Sequence, residues 1–447
     1  MKTKNIFYSL LLLALLASAH QVSARVMKEK RETFSCEKNI RAATLISFTN
    51  KIGPLRVETW DKSSVKDDVT VTIEGEEDQV KKALDYIKNI NFSEPGDTVA
   101  FNTRCWKNVK YGSNVTFFNV PIIGGQFKLT LNDGETATLK KFDLSFVLTM
   151  PRGNPLALTQ AYENVSLPDL DGRIRLNLYE SDLVAGKLPD CRELTAKYGK
   201  VEIDSVKDIR LKLYETRLNI RHAGNVVLDS KYSETGIGNA GSLDIDSYED
   251  KIHVPSHGDL AIKAKYTTFT LADFDKGTFD LYECTLNAGK ANIVAISAKY
   301  CSFGFVSCHA VVFTGSYENK FTCGQAGDLK AASKYSSYKI SNLDGNLNFM
   351  SSYEDKITVK QVGRKFTGIS LTGKYTAIDL SFENGAACKI DADLKYTGMD
   401  FLKTAFREIR YHKEDELFQF LGVTAGSDEN AVSEVKFRMY EGSVKLR

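Results

Sequence analysis

The chain has 447 residues, of which 43% are hydrophobic and 26% charged, with 59 Lys and Arg against 57 Asp and Glu. That composition excludes a disordered chain. The near balance of charge argues against a nucleic-acid binder, because no basic excess exists to displace counterions from a phosphate backbone.

Residues 1–24 read as a signal peptide. Lys2 and Lys4 precede an apolar stretch from Ile6 to Ala17, and the small residues Ala17, Ala19 and Ala24 suit cleavage near Ala24. The apolar run is too short to span a bilayer, and no later run approaches the required length. The mature chain is therefore expected to carry no transmembrane segment and to reside outside the cytoplasm, in the periplasm or at the cell surface.

Residues 25–155 read as a small α+β N-terminal cap. Thr44–Asn50, Leu55–Trp60 and Val69–Glu74 have strand character, and Phe142, Leu144, Phe146, Leu148 and Met150 alternate along a further strand. Between them, Val80, Ala83, Leu84 and Ile87 fall at helical spacing and predict an amphipathic helix over Glu77–Ile90. Trp60 and Trp106 belong to this region, where packing explains them better than sugar stacking.

Residues 156–398 are repetitive. Tyrosines recur about every 17 residues from Tyr162 through Tyr353, and Tyr375 and Tyr396 continue the series at wider spacing. Short alternating segments separated by Gly, Asp, Ser and Asn mean strands. Leu260, Ile262, Ala264 and Tyr266 alternate, which places Tyr266 on the inner face. The expected fold is mainly β: a single-stranded β-solenoid, or β-helix, with coils of about 17 residues. Its structural ladder would include Tyr198, Tyr232, Tyr266, Tyr300 and Tyr335.

Lys precedes the tyrosine in alternate units, and Glu follows it in the units between. A coil twice as long would stack Lys on Lys and Glu on Glu, which is unfavourable. The short coil instead alternates the signs, giving a charge ladder of Lys231, Glu249, Lys265, Glu283 and Lys299. Tyr179, Tyr214 and Tyr282 break the alternation, since Leu directly precedes each. Residues 399–447 read as a C-terminal cap, with Met399–Leu421 partly helical and the last residues forming one more strand pair.

Chemistry-bearing motifs are sparse. Gly236–Gly241 has the glycine spacing of a dinucleotide fingerprint, but a strand follows it where a helix is required. His253 and His257 flank a proline and lack a third metal ligand. The eight cysteines form no CxxC pair, although export permits disulfides, and Cys284 with Cys301 or Cys308 with Cys323 fall at similar places in neighbouring repeats. Glutamates two rungs apart would be separated by roughly 9.6 Å, at the upper edge of inverting-glycosidase geometry. Nothing marks one such pair, and neighbouring lysines would favour ionisation where a general acid must hold its proton. No catalytic residue, metal site or cofactor is expected.

SFTNKIGPLRVETWDKSSVKDDVTVTIEG, followed by QVKKALDYIKNI and repeats such as AKYGKVEID, resembles the putative-adhesin family of exported β-solenoid proteins common in Bacteroidota, a domain of unknown function. The many Tyr-Glu units depart from its usual pattern. The resemblance implies an envelope location and an adhesin-like role, and supplies no catalytic residues. The expected function is a non-enzymatic scaffold or binding protein of the bacterial envelope, with an unknown protein or glycan as partner. A periplasmic envelope-stress sensing module and a carbohydrate-active enzyme on a β-helix are the alternatives. A glycan binder would show exposed aromatics along one face; an enzyme would show one groove with a distinguished carboxylate pair.

Overall fold

The computed structural model describes residues 27–88, 93, 96–103, 106–111, 114–115, 126–424 and 433–447, with the backbone alone over 106–111 and 114–115. The expected signal peptide, Cys105 and the side chain of Trp106 lie outside the described residues. The chain divides into two compact units, residues 1–151 with 162–164, and residues 152–161 with 165–447.

The first unit is built on strands β1 (Met27–Asn39), β2 (Leu45–Asn50), β3 (Leu55–Trp60), β4 (Ser64–Glu76), β5 (Thr98–Asn102), β6 (Trp106–Tyr111), β7 (Asn114–Val115), β8 (Phe127–Leu131) and β9 (Thr136–Pro151). β4 lies antiparallel between β1 and β9. The other edge of β9 pairs with β8, antiparallel, at its start and with β3, parallel, at its end, and β8 pairs in turn with β6. Helix α1 (Glu77–Ile87) buries Val80, Ala83, Leu84 and Ile87, the stripe its spacing predicts. Phe142, Leu144, Phe146, Leu148 and Met150 are all buried. Trp60 is held by its indole N–H, which donates to the Ser64 carbonyl at 2.7 Å, and Lys62 lies over its ring.

The second unit is a β-solenoid of about 13 turns with roughly 18-residue spacing. Each turn contributes short strands that pair in parallel with their equivalents in the turns before and after, as Leu243–Tyr248 does with Val226–Lys231 and Leu260–Lys265. Leu243, Ile245 and Ser247 point inward, and Ile252 and Val254 do so after the corner. Stacking gives each strand's backbone groups partners that a lone turn could not supply.

The corner between the two strands governs the tyrosines. One residue per turn takes a left-handed conformation: Tyr198, Glu215, Tyr232, Glu249, Tyr266, Glu283 and so on, with φ between 47° and 60° over this stretch. That single residue changes the inward phase. The alternation through Leu260, Ile262 and Ala264 therefore stops before Tyr266, which is 42% exposed rather than inward. The same geometry explains Tyr179, Tyr214 and Tyr282. In Tyr-Glu turns the glutamate occupies the left-handed site and the tyrosine stands one place earlier, paired with a lysine in the turns before and after, as Tyr214 is with Lys197 and Lys231.

Behind the corner runs a buried polar column: Thr216, Ser233, Asp250, Thr267, Cys284, Cys301, Asn319, Ser336, Asp355 and Thr376. The left-handed turn removes the next N–H from the parallel ladder, and a side chain one turn on accepts it instead. Ser233 N–H donates to Asp250 Oδ1 at 2.6 Å, Cys301 N–H to Asn319 Oδ1 at 2.8 Å and Ser336 N–H to Asp355 Oδ1 at 2.7 Å.

The order of the last turns differs from chain order. Ser433–Leu446 lies between the turn of Gly368–Lys374 and Ala377–Phe382 on one side and Cys388–Phe401 on the other, parallel to both. The outer edge of Cys388–Phe401 is covered by Leu417–Thr424, antiparallel, which in turn pairs with Phe406–Glu414. Met399–Leu421 is thus mainly strand with one 3₁₀ turn, Lys403–Ala405, and not the partly helical segment its sequence suggests.

Candidate functional site

The outward residues of the corner form the most continuous feature of the solenoid. Tyrosine rings stack edge-to-face without a break from Tyr179 through Tyr198, Tyr214, Tyr232, Tyr248 and Tyr266, with centroids 5.4–5.6 Å apart. The column continues through Tyr282, Tyr300, Tyr317, Tyr335, Tyr353 and Tyr375. Tyr440 and then Tyr396 complete it. Tyr232, Tyr248 and Tyr266 are consecutive members, as the short coil requires. Tyr198, Tyr232, Tyr266, Tyr300 and Tyr335, which occupy the left-handed site, are 41–44% exposed. Their partners in the Tyr-Glu turns, Tyr214, Tyr248, Tyr282, Tyr317 and Tyr353, are half-buried.

Lys231, Glu249, Lys265, Glu283 and Lys299 are exposed in successive turns, but lysine and glutamate occupy adjacent columns. Lys231 and Lys265 flank Tyr248, while Glu249 lies between the turns of Tyr232 and Tyr266. Each charge is separated from its own kind by a tyrosine, and no ion pair joins these residues. The glutamates instead engage the phenols. A hydrogen bond and the nearby charge of Glu249 hold the Tyr248 hydroxyl above its ordinary range, and Glu283 and Glu318 do the same to Tyr282 and Tyr317.

Beside the column lies an open groove of about 560 Å³. Tyr198, Tyr232, Glu215 and Glu249 line it, with Lys200, Arg217, Glu234 and Lys251 from the strands after the corner. Buried Thr216 and Ser233 also line it. Arg217 Nε bonds Glu234 Oε2 at 3.0 Å, and Asp182 accepts the Lys200 N–H at 2.7 Å. The sequence reading did not single out Lys200, Arg217 or Lys251. Their signal is positional, since each follows the buried polar residue of its corner or, at Lys200, the glycine that replaces it.

A second cavity, of about 70 Å³, lies in the first unit against Phe34, Phe101, Phe146 and Asp67. Asp67 is 7% exposed, and its Oδ1 has no hydrogen-bond partner among the described residues. Burial, with a smaller contribution from the charge of Asp68, pushes its carboxyl up to about 7.

No protein-family model and no curated protein matches the sequence. Among solved structures, a putative cell adhesion protein from Clostridium sporogenes ATCC 15579 aligns over 94% of this chain and 99% of its own, at 7% identity and a TM-score of 0.15. So low a TM-score carries no argument, and the functional reading rests on the site itself.

The other motifs are not assembled into sites. The strand Glu234–Asn239 runs through the glycine motif. His253 is exposed on a strand, while His257 Nδ1 lies 3.0 Å from the Gly258 carbonyl. No group of three metal-ligating side chains occurs among the described residues. Cys191, Cys284, Cys301, Cys308, Cys323 and Cys388 carry free thiols. Cys284 and Cys301 are successive members of the polar column, the Cys284 N–H lying 3.3 Å from Cys301 Sγ.

Proposed function

We propose that the protein is a non-enzymatic, exported binding scaffold of the cell envelope, adhesin-like, and that the tyrosine column is its binding face. One observation carries this reading. The left-handed corner is occupied in turn after turn by tyrosine or glutamate, where glycine would fit without strain. Each such residue costs on the order of 1 kcal/mol. Edge-to-face contacts return roughly 0.5–1.5 kcal/mol each, but a ladder kept only for stability has no need to leave its rings two-fifths exposed. Strain retained to present side chains outward is a mark of function.

A non-catalytic role is favoured by the repetition. Glu215, Glu249, Glu283 and Glu318 occupy the same corner position in successive Tyr-Glu turns and are exposed, so no pair is singled out as acid and base. The signal peptide supports export, and the resemblance to the exported adhesin-like solenoids of Bacteroidota points the same way.

The test is adhesion by beads coated with the mature chain to envelope preparations and to intact cells. Wild-type beads should adhere, and beads carrying Tyr266→Gly with Tyr300→Gly should lose most of that adhesion. Equal adhesion by both would remove the tyrosine column as the binding face. Protease shaving of intact producing cells then separates surface display from the periplasm.

A further inference from the structure

We infer that the groove beside Tyr198 and Tyr232 binds a linear, uncharged polysaccharide, two sugar units to every two turns of the solenoid. This rests on the reading of the tyrosine column as the binding face and names the ligand class for it.

The argument begins with periodicity. Adjacent turns are one strand spacing apart, so the more exposed tyrosines, one in every second turn, recur at roughly 9.5 Å. That interval is comparable with the length of two β-linked pyranose rings. A polymer with a two-residue repeat would meet equivalent tyrosines at equivalent sugars without bending. A folded protein partner lacks this translational repeat, and the groove has no deep apolar pocket for the anchors that protein interfaces use.

The chemistry of the lining agrees. Tyr198 and Tyr232 are 42% and 44% exposed, leaving ring surface for the apolar C–H face of a sugar. Around them stand groups that bond hydroxyls: Glu215, Glu234 and Glu249 accept, and Lys200, Arg217 and Lys251 donate. Binding sites that combine aromatic walls with a few convergent polar groups favour small polar ligands of fixed shape. Charge sets the class further. Asp182 and Glu234 stand in one column with Lys200, Arg217 and Lys251, and Glu215 and Glu249 line the groove from the corner beside them. A polyanion would meet a glutamate at every tyrosine repeat, and a polycation would meet Lys200, Arg217 and Lys251 along the strands after the corner. A neutral polymer meets neither penalty.

The groove is also placed where the alternation is regular. Tyr198, Glu215, Tyr232 and Glu249 occupy four successive left-handed corners, and the strands Lys200–Val206, Arg217–His222, Glu234–Asn239 and Lys251–Val254 pair in order beside them.

The experiment is calorimetric titration of the mature full-length chain with β-1,4-linked oligomers of glucose, mannose and N-acetylglucosamine, of two, four and six sugars. At least one series should bind, with affinity rising on each added disaccharide. Tyr232→Gly, which removes the ring at a backbone conformation that suits glycine, should weaken binding about tenfold. Tyr232→Phe should stay within about twofold, and Tyr411→Ala, on the strand Phe406–Glu414 and not a member of the tyrosine column, should leave the disaccharide's affinity unchanged. Affinity that does not grow with length, or that survives Tyr232→Gly, overturns the site. If no neutral oligomer binds while bead adhesion still depends on Tyr266 and Tyr300, the polymer class is wrong and the binding face stands. If both fail, both readings fall.

Discussion

Asp250 offers a sharp test of the polar column. It is 3% exposed, accepts the Ser233 N–H at 2.6 Å and the Ser247 hydroxyl at 2.6 Å, and has no cationic partner. Burial, the largest influence, holds its carboxyl above the ordinary range despite those bonds. The same place further along the column is filled by Asn319, whose Oδ1 accepts the Cys301 N–H. Its Nδ2 donates to the Ala298 carbonyl at 2.8 Å and to Ser316 Oγ at 2.9 Å. Asp250→Asn should copy that arrangement, keeping the Ser233 bond and adding a donor toward the Ser230 carbonyl and Ser247. It removes a buried charge without leaving a vacant partner, so the variant should be more stable at pH 7 by about 1 kcal/mol. Asp250→Ala instead strands the Ser233 N–H and should cost about 1–3 kcal/mol. The pH dependence fixes the sign. A carboxyl raised on folding makes the folded state hold more protons, so wild-type stability falls as pH rises above the unfolded value. The gain from Asn should therefore vanish near pH 3. Urea midpoints at both pH values, with amide exchange at Ser233, measure this. A loss on Asp250→Asn comparable with that of alanine would refute the reasoning.

Three further outcomes are expected. Asp67, raised to about 7 by burial, should make the first unit lose stability as pH rises from about 4 to about 7, and Asp67→Asn should flatten that slope in thermal melts. Burial pushes the thiols of Cys191 and Cys388 up to about 12, so neither should alkylate at pH 8 until the chain is unfolded, as mass spectrometry would show. Exchanging the dipeptide at Tyr440 and Glu441, by Tyr440→Lys with Glu441→Tyr, would line three lysines in adjacent turns with Lys374 and Lys395. It should lower stability by roughly 0.2–1 kcal/mol per like-charge contact, an effect that salt reduces.

Much of the fold was legible because it depends on local repetition. The alternation of Lys-Tyr with Tyr-Glu specified the short coil, and Val80, Ala83, Leu84 and Ile87 specified α1. The outward direction of the tyrosines was not read, because a left-handed residue reverses the phase of a strand and non-glycine residues seldom adopt that conformation. The position of Ser433–Leu446 was also missed, although a trace existed. Tyr375 and Tyr396 both follow lysine, so two Lys-Tyr turns succeed each other in the chain with no Tyr-Glu turn between them. Tyr440 with Glu441 supplies the missing one. The groove was harder to see, since Lys200, Arg217 and Lys251 acquire their meaning only from the stacking of separate turns.

The displaced strand bears on how the molecule is made. Translation proceeds in one direction, and Cys388–Phe401 leaves the ribosome before Ser433–Leu446, the neighbour it must rest upon. Growth turn by turn from the earlier end therefore stops at Ala377–Phe382, with the next segment already synthesised but unable to add in order. The final turns must close together, around a strand arriving late. Docking of Cys388–Phe401 therefore waits on Ser433–Leu446, an order that a simple stack of repeats does not impose.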